Sequence, residues 1–327
     1  MKDWEQEVLN QYDIDVKTKR KVRSGVLCEG EDGAFLITET RSAEGRLASL
    51  EQLGEHLVTE GIENVDCLVR TREGKLFCEL EDESKYIIKT WFNGRECDVK
   101  KENELLNATK NLTRLHKVLR KPIEWEEEVI KPFRAEELQQ VFFRHNRELK
   151  KVRSFARERV DKGVFEHTFL KNFDQMFVWA ETSLERLKEL NCDKLDKYLI
   201  HGDYNYHNIL MLHDGVATTN FEHFEENVQV TDLYYFLRKT MEKYQWDSKL
   251  GDKMLEYYQR FLSLSKEEMD YLGVLMSYPE KFWKAANSYS RSKKAWIPAK
   301  SLEKMELVIS QVEKKQKFLE DVFKIRL

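Results

Sequence analysis

Residues 198–212 read YLIHGDYNYHNILML. Two short apolar runs enclose a polar core in which Asp203 and Asn208 stand five positions apart. An acid and an amide at that spacing on a short loop fit phosphoryl transfer. The carboxylate accepts the proton of an attacking hydroxyl, and the amide offers a neutral oxygen to magnesium. His201 reads as a brace for the loop rather than as a base. The competing reading of the same residues is a buried His-Gly-Asp turn between two strands.

The flanks favour the chemical reading. Residues 174–190 have a helical pattern, and ILML and VATTNF can form a hairpin turning at His213-Asp214-Gly215. Further out, VRSGVLCEGEDGAFLITET (22–40) suggests a hairpin, and Leu47, Leu50, Leu53, Leu57 and Val58 recur at helical spacing over 44–60. VDCLVRT, KLFCEL and KYIIKTWF then read as strands. Two strands, one helix and three strands describe a small antiparallel sheet with one helix on it. Beyond Val99 the pattern turns helical, over 99–120, 135–160, 165–190, 230–245, 251–264, 266–290 and 300–325, interrupted by strand-like pieces at 198–230. A lobe boundary is expected near Phe92-Asn93-Gly94, giving an N-terminal lobe at 1–92 and a C-terminal lobe at 93–327, with Gly94 as a hinge.

HGDYNYHNIL resembles the catalytic loop of the aminoglycoside phosphotransferase and choline kinase superfamily. The whole chain resembles the CotS-type spore-coat proteins, a kinase-like family of spore-forming bacteria. WFNGREC (91–97), NLTRLH (111–116), RHNRELKKVRSF (144–155), FEHTFLKNFD (165–174), TDLYYFLRK (231–239) and YPEKFWKAANSYSRSKKAW (278–296) carry that resemblance in the expected order. It implies an α+β, bilobal, protein-kinase-like fold, a small antiparallel-sheet lobe followed by a larger, mainly helical one. It also implies association with the spore coat and its proteins.

The resemblance implies three more chemical parts, and the sequence departs from them. A metal-binding Asp should follow the hairpin, but Thr219-Asn220-Phe221-Glu222 puts Asn220 there. Asn offers one neutral oxygen where Asp offers a charge, and magnesium favours carboxylate and phosphate oxygens. Glu222 or Glu225 are the candidates for rescue. A phosphate-gripping lysine should end the third-strand run Gly33-Ala34-Phe35-Leu36-Ile37, but the next residue is Thr38. Arg41 or Arg46 are the nearby candidates to replace it, and Glu51 and Glu55 then read as surface charges. The three glycines of VRSGVLCEGEDG lack a clear phosphate-cradling spacing. Asp232, at a position where the superfamily braces the C-terminal lobe, reads as an N-cap or a buried structural acid.

Bulk properties narrow the remaining classes. With 55 Lys+Arg against 59 Asp+Glu, no overall field points to nucleic acid or membrane. Cys28, Cys67, Cys78, Cys97 and Cys192 are scattered without a C-x-x-C pair, which argues against a disulfide framework or zinc site. MKDWEQEVLN is charged where a signal peptide is apolar, so cytoplasmic synthesis is expected. His207, His213 and His223 lack metal-ligand spacing. Tyr278, Trp283, Tyr289 and Trp296 with Lys281, Lys284, Lys293 and Lys294 read as helical core with a basic face rather than a single-strand nucleic-acid site. The tail EKKQKFLEDVFKIRL is amphipathic.

Two functional expectations follow. Thr38 and Asn220 favour a kinase-like spore-coat protein with impaired or lost catalysis and a structural or interaction role. Retained Asp203 and Asn208 support the alternative, an ATP- and magnesium-dependent phosphotransferase acting on a hydroxyl of a small molecule, sugar or coat component.

Overall fold

Gly33–Glu39 (β3) and Lys85–Trp91 (β6) pair antiparallel from Ala34↔Trp91 to Glu39↔Tyr86 and form the middle of the N-terminal sheet. Both are rich in aromatic and β-branched residues, which suit a pleated, buried surface. Thr18–Val22 (β1) and Gly25–Gly30 (β2) extend the sheet beyond β3, while Leu68–Val69 (β4) and Cys78–Glu79 (β5) both pair with β6. The computed structural model describes residues 4–125, 133–291 and 299–327.

Strand alternation sends successive side chains to opposite faces. On one face Val26, Cys28, Ile37 and Ile88 meet Val8 and Tyr12 from the helix Trp4–Leu9 (α1) and the turn after it. On the other, Ile87 and Leu76 pack with Leu47 of the helix Glu44–Thr59 (α2). Lys89, two residues beyond Ile87, falls on the α2 face as well. This places a lysine inside the sheet core, at 4% exposure.

The chain forms two units. The first comprises Met1–Arg134 and Tyr198–Asn227, the second Ala135–Lys197 and Val228–Leu327. Beyond its sheet and α2, the first unit holds the helix Glu102–Leu119 (α3) and the hairpin Ile209–Leu212 (β9) and Gly215–Thr218 (β10), which Arg95–Glu96 (β7) joins. Tyr198–Ile200 (β8) pairs with Glu225–Asn227 (β11). The second unit is helical: Leu138–Glu158 (α4), Val164–Glu189 (α5), Val230–Lys243 (α6), Ser248–Gln259 (α7), Lys266–Ser277 (α8), Glu280–Ser290 (α9), Ala299–Ser310 (α10) and Val312–Phe323 (α11).

Several elements differ from expectation for identifiable reasons. The 22–40 segment does contain a hairpin, β2–β3, but α1 and β1 precede it. The charged run TKRKV gives an edge strand no alternating signature. The helix expected over 266–290 breaks at Tyr278-Pro279. Proline lacks an N–H and drives the residue before it out of helical geometry, and Tyr278 has ψ 135. The helix expected over 300–325 is interrupted at Gln311, whose side chain accepts from Trp246 and donates to the Glu242 carbonyl.

The late aromatic stretch is core. Tyr278 stacks on Phe142, Trp283 stacks on His145 and donates to Glu148, and Tyr289 donates to Glu166. Lys281 and Lys284 pair with Glu242 and Glu280. Lys293, Lys294 and Trp296 lie outside the described residues. All five cysteines are free, and no described helix is long and apolar enough to cross a membrane.

Candidate functional site

The loop 201–208 is fixed from both ends within the first unit. Fully buried His201 shares a hydrogen bond between Nε2 and the Thr219 carbonyl at 3.0 Å, and its Nδ1 accepts from the Asp203 N–H at 3.1 Å. That pair of partners assigns the neutral Nε2–H tautomer. Gly202 has φ +79, and a Cβ there would lie 2.0 Å from the His223 carbonyl oxygen, so no other residue fits. Tyr204 donates to the Ala108 carbonyl of α3, and Asn111 of the same helix donates to Tyr204 and Thr218. The stretch NLTRLH thus carries the amide that ties helix, loop and hairpin together. Gly94, read as a hinge, is packed against the hairpin: a Cβ there would come within 2.7 Å of the Leu212 side chain.

Asp203 and Asn208 are brought together. Asn208 Nδ2 donates to Asp203 Oδ2 at 3.0 Å and to the Asp203 carbonyl at 2.9 Å. Its Oδ1 accepts from Asn220 Nδ2 at 2.9 Å. Asn220 Oδ1 in turn accepts from Lys89 Nζ at 2.9 Å. An ammonium only donates and a carboxylate only accepts. The chain Lys89 → Asn220 → Asn208 → Asp203 therefore has one consistent direction, and the ends dictate how both amides are turned.

Lys89 was not singled out by the sequence analysis, and it organises the centre. Its Nζ lies 2.8 Å from Asp66 Oδ2 and 2.5 Å from Glu222 Oε1 in addition to Asn220. Three donors thus meet three acceptors. Asp66, whose side chain is 2% exposed, also accepts the Asn220 backbone N–H through both oxygens. Burial by itself lowers the pKa of Lys89, but the attraction of Asp66 and Glu222 outweighs it and raises the ammonium above its ordinary value. Burial works against the charge of Glu222 too, and Lys89 outweighs it and holds that carboxyl low. Burial pushes the Asp66 carboxyl up, against the pull of Lys89.

The other expected residues sit as follows. Thr38 is on β3 opposite Ile87, while Lys89 is opposite Leu36. The cation that Thr38 lacks is thus on the next strand, diagonally across the same face. Arg46 does not reach toward that position. It donates to the Glu222 and Phe224 carbonyls at 2.7 and 2.6 Å, and its guanidinium lies against the rings of Phe133 and Phe224. Burial pulls it down to about 10. Arg41 is exposed, two residues beyond the end of β3. Glu51 forms a two-point pair with Arg70, and Glu55 is exposed. Glu225 is on β11 opposite Ile200 and accepts from Asn227. His207 pairs with Glu96, His213 with Asp214, and His223 is exposed. Asp232, in the second unit, is fully buried in the first turn of α6, where Gln229 is the N-cap. A signal for Lys89 existed: a lysine inside the largely apolar run YIIKTW (86–91), with an acid inside VDCL (65–68).

This donor set does not fit a divalent metal. Asn208 Oδ1, Asn220 Oδ1 and Glu222 Oε1 each already accept a hydrogen bond from an amide or an ammonium, and the atom that Asn220 turns toward Asn208 is a nitrogen carrying protons. Among the described residues no group of three or more His, Cys, Asp or Glu can hold a metal. The arrangement as it stands orients a carboxylate and stores a cation.

Residues 5–322 match the family model described as "Spore coat putative kinase YutH". No curated protein matches by sequence. The solved aminoglycoside phosphotransferase from Alicyclobacillus acidocaldarius subsp. acidocaldarius DSM 446 superposes with a TM-score of 0.82 at 17% identity, over 98% of this chain and 95% of that one. Spectinomycin phosphotransferase in complex with ADP and spectinomycin gives 0.68 at 14% identity, over 95% and 98%. An amicoumacin kinase in complex with AMP-PNP and Ca2+ gives 0.65 at 13% identity, over 97% and 94%. At such identities the likeness establishes the kinase-like phosphotransferase fold.

Proposed function

Because the chain belongs to the YutH family of kinase-like spore-coat proteins, we propose that it is a kinase-fold component of the coat whose phosphoryl transfer is impaired or lost, and which acts by structure or interaction. One observation carries this reading: in the hydrogen-bonded relay from Lys89 through Asn220 and Asn208 to Asp203, both amide oxygens already accept, and residue 220 presents an N–H rather than a carboxylate oxygen to Asn208. Phosphoryl transfer relies on positioning and on charges facing the phosphates, and a missing charge of this kind costs on the order of 10²–10³ in rate. Titration calorimetry with Mg-ATP tests the proposal. No saturable heat is expected, and micromolar binding would contradict it. Coat proteins are the partners this reading implies, and the coat is its location.

The second reading is an ATP- and magnesium-dependent phosphotransferase acting on a hydroxyl. Asp203 favours it, being held beside Asn208 as a base would be. The nucleotides and Ca2+ in the solved relatives also favour it. In that case ATP supplies the phosphoryl group. Asp203→Ala then abolishes ATP turnover in a chain that still melts normally. Absence of turnover by the wild type on a panel of hydroxyl acceptors removes this reading.

A further inference from the structure

Asn220 holds both ends of its carboxamide against fixed partners. Oδ1 accepts a hydrogen bond from Lys89 Nζ and Nδ2 donates one to Asn208 Oδ1, each at 2.9 Å. Ligands of octahedral magnesium lie about 2.1 Å from the ion, so adjacent ligand atoms are roughly 3.0 Å apart. The Asn220 Nδ2 to Asn208 Oδ1 separation matches one edge of such an octahedron, but one of its two atoms is a nitrogen carrying protons.

We propose that the Asn220 carboxamide replaces the metal bridge of this centre, so that exchanging one atom, Asn220→Asp, creates a divalent-cation site on residue 220 and Asn208. The inference rests on the reading above that the native centre binds no metal. The surroundings are suited to the exchange. Lys89 pins one oxygen of residue 220, and Asp66 holds its backbone N–H. Asn208 is kept facing residue 220 because its own amide donates to Asp203. The backbone of Asn220 is left-handed, at φ 67, a conformation Asp adopts about as readily as Asn. Lys89 with Asp66 and Glu222 carries one surplus negative charge, and Asp at 220 adds a second, which a divalent ion neutralises.

The probe is MnCl2 alone, without nucleotide, followed by the electron paramagnetic resonance of free Mn2+ and by melting temperature. The wild type is expected to show no saturable site. N220D is expected to bind one Mn2+ at least tenfold more tightly and to melt higher with the metal. Asn208→Ala in the N220D background is expected to remove both effects. A wild type that binds Mn2+ through Asn208, a site that survives in the double variant, or an N220D that ignores Mn2+, folded or not, would overturn the proposal. Wild-type binding of Mg-ATP removes the reading of lost transfer. An N220D indifferent to Mn2+, beside a wild type that also binds no Mg-ATP, removes this inference alone.

Discussion

Lys89 is a buried lysine and Lys315 a half-buried one, one in each unit, and their neighbours push them in opposite directions. Lys89 faces two carboxylates and an amide oxygen, and its proton is held more tightly than in water. Lys315 on α11 donates to the Tyr278 carbonyl at 2.9 Å and lies over the rings of Trp246 and Trp179. Burial there lowers its pKa and Arg238 adds to the effect; Glu242 and Glu280 oppose it, leaving the amine at about 7. Carbonyls and ring faces do not repay a lost hydration shell, whereas carboxylates at hydrogen-bond distance do. The difference separates a permanent internal cation from one that titrates, and only the first can hold the centre in one state.

The strongest way to break this contrast is Lys89→Met. It leaves Asp66 and Glu222 facing each other without a counter-charge, and a loss of ~3–5 kcal/mol in denaturant unfolding is expected for a broken buried pair. A loss below ~1 kcal/mol would mean that Lys89 is not the organising cation. Adding Asp66→Asn to that variant removes one stranded carboxylate, and the double variant should be more stable than additive losses predict, by ~0.5–3 kcal/mol.

The pH dependence sharpens the contrast. Lys89 stays protonated folded and unfolded up to its ordinary value of 10.5, so its stabilising contribution is complete below that pH and is lost only above it. Lys315 is deprotonated in the folded chain above about 7 but binds a proton in the unfolded chain up to 10.5. The unfolded state then binds more protons, and stability of the helical unit rises with pH across that window. Lys315→Met should flatten the rise, and an unchanged slope would place it elsewhere. At pH 7 that same swap, close in volume, should cost less than ~1.5 kcal/mol.

The fold was legible because its signals are local: HGDYNYHN with its flanking apolar runs, the short apolar runs and glycines of 22–40, and the helical spacing of 44–60. Asn220 was legible for the same reason, being a fixed distance from the loop. Lys89 was not, because its role depends on pairing. Only the register Leu36↔Lys89 brings it to the face where Thr38 leaves no charge, and only the fold brings Asp66 and Glu222 to it. Arg46 shows the converse. It is near the centre in sequence order but is spent on the Glu222 and Phe224 carbonyls. Two helix breaks were missed for different reasons, one at a visible proline, Pro279, the other at Gln311, whose partners Trp246 and Glu242 are distant in sequence.

Lys89 is held by this chain's own oxygens, and on the reading proposed above it remains so when nucleotide is offered. Nitrogen-15 NMR of the lysine side chains reads this directly, since an ammonium with three fixed acceptors exchanges its protons slowly enough to be seen. A protected Lys89 signal is expected, absent in Lys89→Met, that does not move on addition of millimolar Mg-ATP. A Lys89 signal that shifts or vanishes as Mg-ATP is added would contradict it.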